Sequence, residues 1–265
     1  MPKMKIGDGE FNYFLDNFTD PWLQSDVIFM HHGYCRNSRF WNSWIPSLAR
    51  MYKILRFDVR GCGESSIPSE RFPWSAEQLA QDALGLLDGL KIQRVHWVGE
   101  SSGGVVGVVF AASYPDRVKS LVVCDSPANF GDRLLSNYAG DREDPAAGIE
   151  KLGFREWCIQ TMGLRIDKSK ADPRLVDWYA SEMAKTPEHV AKALFRVFGA
   201  ADIPKQSIPC SVRNFRRFRT WCPFANSRSL PRSGSQIFAE NRGIGIRANG
   251  MNQGNERFAA YDSWT

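Results

Sequence analysis

Gly99-Glu100-Ser101-Ser102-Gly103 stands between an apolar run, Val95 to Val98, and a small-residue run, Gly104 to Ser113. The first reads as a buried strand and the second as a helix. A serine between glycines at such a junction can be held on a turn too tight for larger neighbours, its hydroxyl exposed and the next amide aimed at a developing oxyanion. Ser101 is therefore a candidate nucleophile. Such a serine needs a base, and no histidine follows His189.

The segments around this turn alternate. Residues 10–17 read as an early strand, and Asp26 to His31 reads as a buried strand running into a glycine turn. Helical spacing runs from Phe40 through Leu48, a strand from Lys53 to Asp58, a helix from Ala76 to Leu90, and a strand over 94–98. The helix after the serine ends near Tyr114-Pro115-Asp116, and a strand from Ser120 to Cys124 stops at Asp125. Strands and helices alternating in this way predict an α/β fold, a doubly wound and mainly parallel sheet covered on both faces. Ligands collect at the carboxyl ends of such strands. His31 to Tyr34, Asp58 to Ser65, Ser101 and Asp125 all follow strand ends, which puts them on one edge.

From about 129 to 198 the pattern turns helical, with pieces at Ala146 to Met162, Pro173 to Ala184 and Pro187 to Phe198. Phe154, Trp157, Met162, Trp178, Tyr179, Met183, Leu194 and Phe198 recur there. They read either as the packing of three helices or as a cap whose inner face lines an apolar substrate pocket. After Ile203 a doubly wound sheet should supply two more buried strands. Residues 205–235 offer only scattered aliphatics among Arg, Ser, Pro and Cys, with a short strand candidate at Ser235 to Ala239. The expected division is a core of 1–128 and 199–265, poorly formed over 205–265, with an inserted helical cap over 129–198.

With 265 residues and 43% hydrophobic content, the chain can build one sizeable core with an insertion. Its net charge of +5 is uneven: residues 1–204 carry 24 Lys and Arg against 26 Asp and Glu, and 205–265 carry 10 against 3. Arg216, Arg217 and Arg219 around Phe215 and Phe218 could form a nucleic-acid or membrane patch, but no recognition module accompanies them. Neither nucleic acid nor membrane is expected as a partner. Met1 to Lys5 is followed by Gly and Asp-containing sequence rather than an apolar signal region, and no stretch approaches eighteen apolar residues, so the expected location is intracellular and cytoplasmic. The six cysteines, 35, 62, 124, 158, 210 and 222, lack metal-binding spacing and read as free thiols, with no metal site.

His32-Gly33-Tyr34 has the form of a second oxyanion donor. Amides of Ser102 and Tyr34 would converge on a carbonyl oxygen as it becomes charged, each such donor contributing about 3 kcal/mol. Gly33 would permit close approach, and His32 and Gly33 are candidate binding residues. The alternative is an ordinary strand-ending turn whose histidines satisfy local backbone groups. Asp58-Val59-Arg60-Gly61-Cys62-Gly63-Glu64-Ser65 reads as a bordering loop, tied down by Asp58, Arg60 and Ser65.

Together HHG, RFDVRGCGESS, VGESSGG and YPDRVKSLVV resemble the α/β-hydrolase fold superfamily over about residues 9–130. The mix of motifs is also similar to accessory hydrolases of fungal secondary-metabolite pathways. The resemblance implies a Ser–acid–His triad in that order, with the histidine after the last strand. It also implies a small-molecule substrate, no cofactor, and transfer of an ester, thioester or lactone acyl group. Ser101 matches the nucleophile, and a serine there argues against epoxide hydrolase and haloalkane dehalogenase chemistry while leaving carbon–carbon bond hydrolysis open.

The usual acid position falls within 205–235. Asp202 precedes it, and Asp125, a variant location for the acid, is the better match, although a turn or capping aspartate reads equally well there. Gly243-Ile244-Gly245-Ile246-Arg247 resembles the family's histidine-bearing end, with Ile246 where imidazole belongs. Neither Ile246 nor Arg247 can accept a proton. His32 would occupy substrate space if it reached Ser101, and His189 would need its helix to fold inward. Two further readings follow: a catalytically inactive ligand-binding protein, or a shifted reading frame or retained intron over 205–242. Nothing in the sequence speaks to oligomeric state.

Overall fold

The computed structural model describes residues 2–126, 132–139, 144–199 and 215–218. Two antiparallel strands open the chain, β1 (Lys3–Ile6) and β2 (Gly9–Asp16), and are followed by β3 (Val27–His31). A 3₁₀ turn over Ser38–Trp44 and the short α1 (Ile45–Leu48) lead into β4 (Lys53–Phe57). Then come α2 (Ala76–Gly89), β5 (Val95–Glu100), α3 (Ser102–Ser113) and β6 (Val118–Cys124). Five helices follow: α4 (Asp132–Ala139), α5 (Pro145–Leu152), α6 (Phe154–Gln160), α7 (Pro173–Met183) and α8 (Glu188–Gly199). The last described element is β7 (Phe215–Phe218).

The seven strands among the described residues form one sheet in the order β1-β2-β4-β3-β5-β6-β7. β1 pairs with β2 and β2 with β4 antiparallel, and every pairing from β4 to β7 is parallel. The chain steps from β3 to β4 on one side, then crosses through α2 to β5 on the other. Strand order therefore reverses between β3 and β5, and the crevice outside their carboxyl ends is where ligands lodge in open α/β sheets.

The centre of the sheet is apolar on both faces, as parallel strands covered by helices must be. Phe29, Trp97 and Phe110 pack in sequence as tilted pairs at 4.7 and 4.8 Å, with Phe57 stacked 5.1 Å from Phe29. Helix starts follow their capping chemistry. Ser75 accepts from the Gln78 amide at 3.0 Å ahead of α2, and Asp144 accepts from Ala147 at 2.8 Å ahead of the proline that begins α5.

The expected single helical piece from Ala146 to Met162 is broken at Gly153, whose φ of +75° ends α5 and starts α6. Two strands and a helix escaped the sequence reading: β1, α4 and β7. The expectation that 205–235 lacks strands is corrected by β7, which aligns Phe215 with Leu121 and Phe218 with Cys124. The strand candidate at Ser235 to Ala239, Ile246, Arg247, Asp202, Cys210 and Cys222 lie outside the described residues.

Candidate active site

Ser101 links β5 to α3 with φ 52° and ψ −122°, a region that L residues rarely occupy and that costs about 1–3 kcal/mol to hold. Its amide donates to the Cys124 carbonyl at 2.9 Å, and its carbonyl accepts from Gly104 N–H at 3.0 Å. The flanking glycines make the turn feasible. A Cβ on Gly99 would strike the Gly103 carbonyl, and one on Gly103 would strike the carbonyl of His31. The Trp97 indole N–H donates to the Gly103 oxygen at 3.2 Å, tying the turn to the aromatic core. Ser102 is the first residue of α3, so its N–H has no carbonyl one turn back within the helix.

The loop after β3 comes directly against this turn. A Cβ on Gly33 would lie 3.1 Å from Ser101 Cβ and 2.5 Å from Glu100 Oε2, so only glycine allows the approach. Tyr34 follows. Its hydroxyl donates to the Ala191 carbonyl of α8 at 2.9 Å, and its ring meets Phe195, Trp157 and Phe154 edge-on at 5.3, 6.2 and 6.3 Å. Loss of solvent raises its phenol pKa well above the ordinary value, which keeps the hydroxyl a donor.

The four histidines all lie among the described residues, and each ring hydrogen-bonds a group other than Ser101, while His31 Nε2 is buried with no partner among the described residues. His32 Nδ1 donates to the Gly33 carbonyl at 2.8 Å, which leaves Nε2 to accept the Val59 N–H at 2.9 Å. Burial lowers its pKa to about 4. His32, a candidate binding residue by sequence, thus fastens the loop to the segment after β4 rather than presenting a free nitrogen to a ligand. His31 Nδ1 donates to the His32 carbonyl at 2.9 Å, its ring stacks on Trp97, and burial lowers its pKa to about 3. His96 Nδ1 sits 2.8 Å from Ser120 Oγ and Nε2 3.3 Å from Asp26, and His189 Nε2 meets the Pro68 carbonyl at 3.1 Å.

Asp125 is exposed and directly follows Cys124, the residue whose carbonyl holds the Ser101 amide, so the two candidate catalytic residues end neighbouring strands. Its φ is +45°. Its charge, with burial as the larger cause, helps push Cys124 up to about 12 and Glu100 above the usual carboxylate range. Beyond β7 the sequence runs Arg219-Thr220-Trp221 and offers no carboxylate before Glu240.

The sequence reading passed over two charged residues here. Glu100, inside the serine motif, pairs with Arg36, three positions after Gly33, and both are largely buried. The 58–65 loop has the anchoring role its composition predicted. Asp58 accepts from Ser38 N–H at 2.7 Å, Asn12 Nδ2 at 2.8 Å and Glu64 N–H at 2.9 Å. Arg60 holds Asp82 through two bonds of 2.9 and 2.7 Å. Cys35, Cys62, Cys124 and Cys158 are free thiols. Among the described residues no group of three or more His, Cys, Asp or Glu side chains is placed to hold a metal ion, and no helix is long and apolar enough to cross a membrane.

Residues 26–193 match the family model for the alpha/beta hydrolase fold. The chain belongs to the α/β-hydrolase fold family. It is 32% identical over 217 residues to the pimeloyl-[acyl-carrier protein] methyl ester esterase of Aeromonas hydrophila, a match covering 78% of this chain and 82% of that one. It is also 32% identical to 3-oxoadipate enol-lactonase 2 of Acinetobacter baylyi, over 66% of this chain and 65% of the relative. Of another curated relative, the chain spans only 39%. The crystal structure of the enol-lactonase from Burkholderia xenovorans LB400 superposes with a TM-score of 0.66 at 24% identity, covering 77% of this chain and 76% of that one, a likeness of fold. This α/β-hydrolase fold member thus has the doubly wound, mainly parallel sheet that its strand and helix pattern predicts.

Proposed function

We propose that the site transfers the acyl group of an ester, thioester or lactone of a small apolar molecule to water or another acceptor. Ser101 Oγ, giving its proton to solvent hydroxide, attacks the carbonyl carbon while the amides of Ser102 and Tyr34 hold the oxygen as it gains charge; the bond to the alcohol, thiol or lactone oxygen then breaks, and water or the acceptor takes the acyl group from the serine. The observation that carries this reading is the strained Ser101 turn with the Gly33 loop packed against it. The names of two relatives, a methyl ester esterase and an enol-lactonase, support the substrate class. Asp125 is the carboxylate of the site. In this reading α4 to α8 form a cap over residues 129–198, held to the core by Tyr34 on Ala191 and by Asn37 Nδ2 on Glu182 at 2.7 Å, and its aromatic side chains select an apolar acyl group. The resemblance to accessory hydrolases of secondary metabolism supports reading the substrate as a small molecule of such a pathway, and the reading takes the chain to act inside the cell.

No histidine ring is bonded to Ser101: those of His31 and His32 are buried, held neutral and tied through Nδ1 to backbone carbonyls, and those of His96 and His189 are bonded elsewhere. That histidine inventory favours a second reading, a ligand-binding protein that retains the pocket without turnover; losing a triad member costs several powers of ten in rate while binding and oxyanion effects persist. A fluorophosphonate probe with intact-mass readout separates the two. Labelling of the wild type and none of Ser101→Ala supports acyl transfer. A wild type that never labels, yet gains melting temperature with a bound ester, establishes the second reading.

A further inference from the structure

Glu100 is bonded to Ser101, and Arg36 stands two residues after Tyr34. Their side chains meet, with Arg36 Nη1 on Glu100 Oε2, at side-chain exposures of only 11% and 15%. The same carboxylate oxygen packs on Gly33, where a Cβ would come within 2.5 Å of it. One end of this ion pair is therefore fixed to the nucleophile turn and the other to the loop that carries the Tyr34 amide. The Arg36 guanidinium is itself steadied by aromatic faces, 5.6 Å from the Phe40 ring centroid and 5.0 Å from that of Tyr179 on α7. The Arg36 amide donates to the Gly33 carbonyl at 3.2 Å and keeps the loop tightly turned.

We propose that Arg36 and Glu100 form a clamp that sets the spacing between Ser101 and the Tyr34 amide, which makes them positioning residues for acylation. The proposal rests on the reading of Ser101 as nucleophile. A buried ion pair contributes little net stability over a well-packed apolar pair of similar volume, whereas it is directional and fixes register. Displacing a reacting group by about 1 Å can cost on the order of a hundredfold in rate. A clamp of this kind acts on the transition state far more than on substrate binding.

The test is the second-order rate constant for fluorophosphonate labelling of the full chain, together with kcat and KM for p-nitrophenyl acetate. The double variant Arg36→Met with Glu100→Gln removes both charges at once and leaves neither buried alone. Labelling should slow at least tenfold, with kcat falling, KM held within about twofold and the melting temperature close to wild type. Arg36→Lys keeps the charge but loses the fork, and should recover part of the rate. If the double variant does not fold, Arg36→Lys alone decides the matter, with several-fold slower labelling expected. Wild-type rates in the folded variants overturn the clamp and leave the nucleophile reading intact. A wild type that does not label overturns that reading, and the clamp with it.

Discussion

Strands β5 and β6 lie side by side, and each ends on a polar residue with positive φ, Ser101 at +52° and Asp125 at +45°. The resemblance stops there. Aspartate enters the left-handed region readily because its short side chain bonds locally, so the turn after β6 needs little enforcement. Ser101 combines its φ with ψ −122° and is held by glycines that admit no side chain on either flank. Strain maintained by so many contacts is what the proposed nucleophile role of Ser101 would require.

The largest effect expected concerns rate. With no histidine ring bonded to Ser101, acylation by p-nitrophenyl esters should rise about tenfold per pH unit from 6 to 9, following hydroxide, with no bend near the ordinary histidine range of about 6.5. Stopped-flow release of p-nitrophenolate measures this, and a plateau reached already in the carboxylate range would make Asp125 the base. Next is Gly103→Ala, whose Cβ meets the His31 carbonyl; urea titration should show a loss of about 3 kcal/mol or more. Asp125→Ala should lose less than about 1 kcal/mol. Equal losses would erase the distinction between the two ends.

Acid should act on the β3–β5 side as well. His31 and His32 have folded pKa values of about 3 and about 4, below the value of an unfolded histidine. The unfolded chain therefore binds more protons than the folded one in that interval. Stability is fully present above about pH 6.5 and declines as pH falls toward 4, by about 2 kcal/mol per ring at pH 4.5. Urea midpoints at pH 7 and 4.5 test this, and His32→Asn should shrink the difference. The smallest effect is relief of strain. Ser101→Gly should gain about 1 kcal/mol while abolishing labelling, and Asp125→Gly about half that.

Most of the central sheet was legible because buried strands and their helices carry a strong apolar pattern. β1 was not, since Lys3 and Lys5 alternate with Met4 and Ile6 on an edge that half faces solvent. β7 was hidden by composition: Phe-Arg-Arg-Phe reads locally as a basic patch, and its strand character comes from pairing with β6. At the site, the glycine spacing around Ser101 and the Gly33 loop could be read because a tight approach leaves only one residue type. The Glu100–Arg36 pair joins positions 64 apart and could not be seen without the crossover that brings β3 beside β5. The occupation of His32 by Val59, 27 positions apart, depends in the same way on the pairing of β3 with β4.

The Tyr34 hydroxyl bonded to the Ala191 carbonyl spans 157 positions of chain and fastens α8 to the loop that follows β3. A displacement of that helix would strain the same loop. On the proposed reading of the Tyr34 amide, admission of a molecule past α8 and stabilisation of its charged oxygen would be mechanically joined.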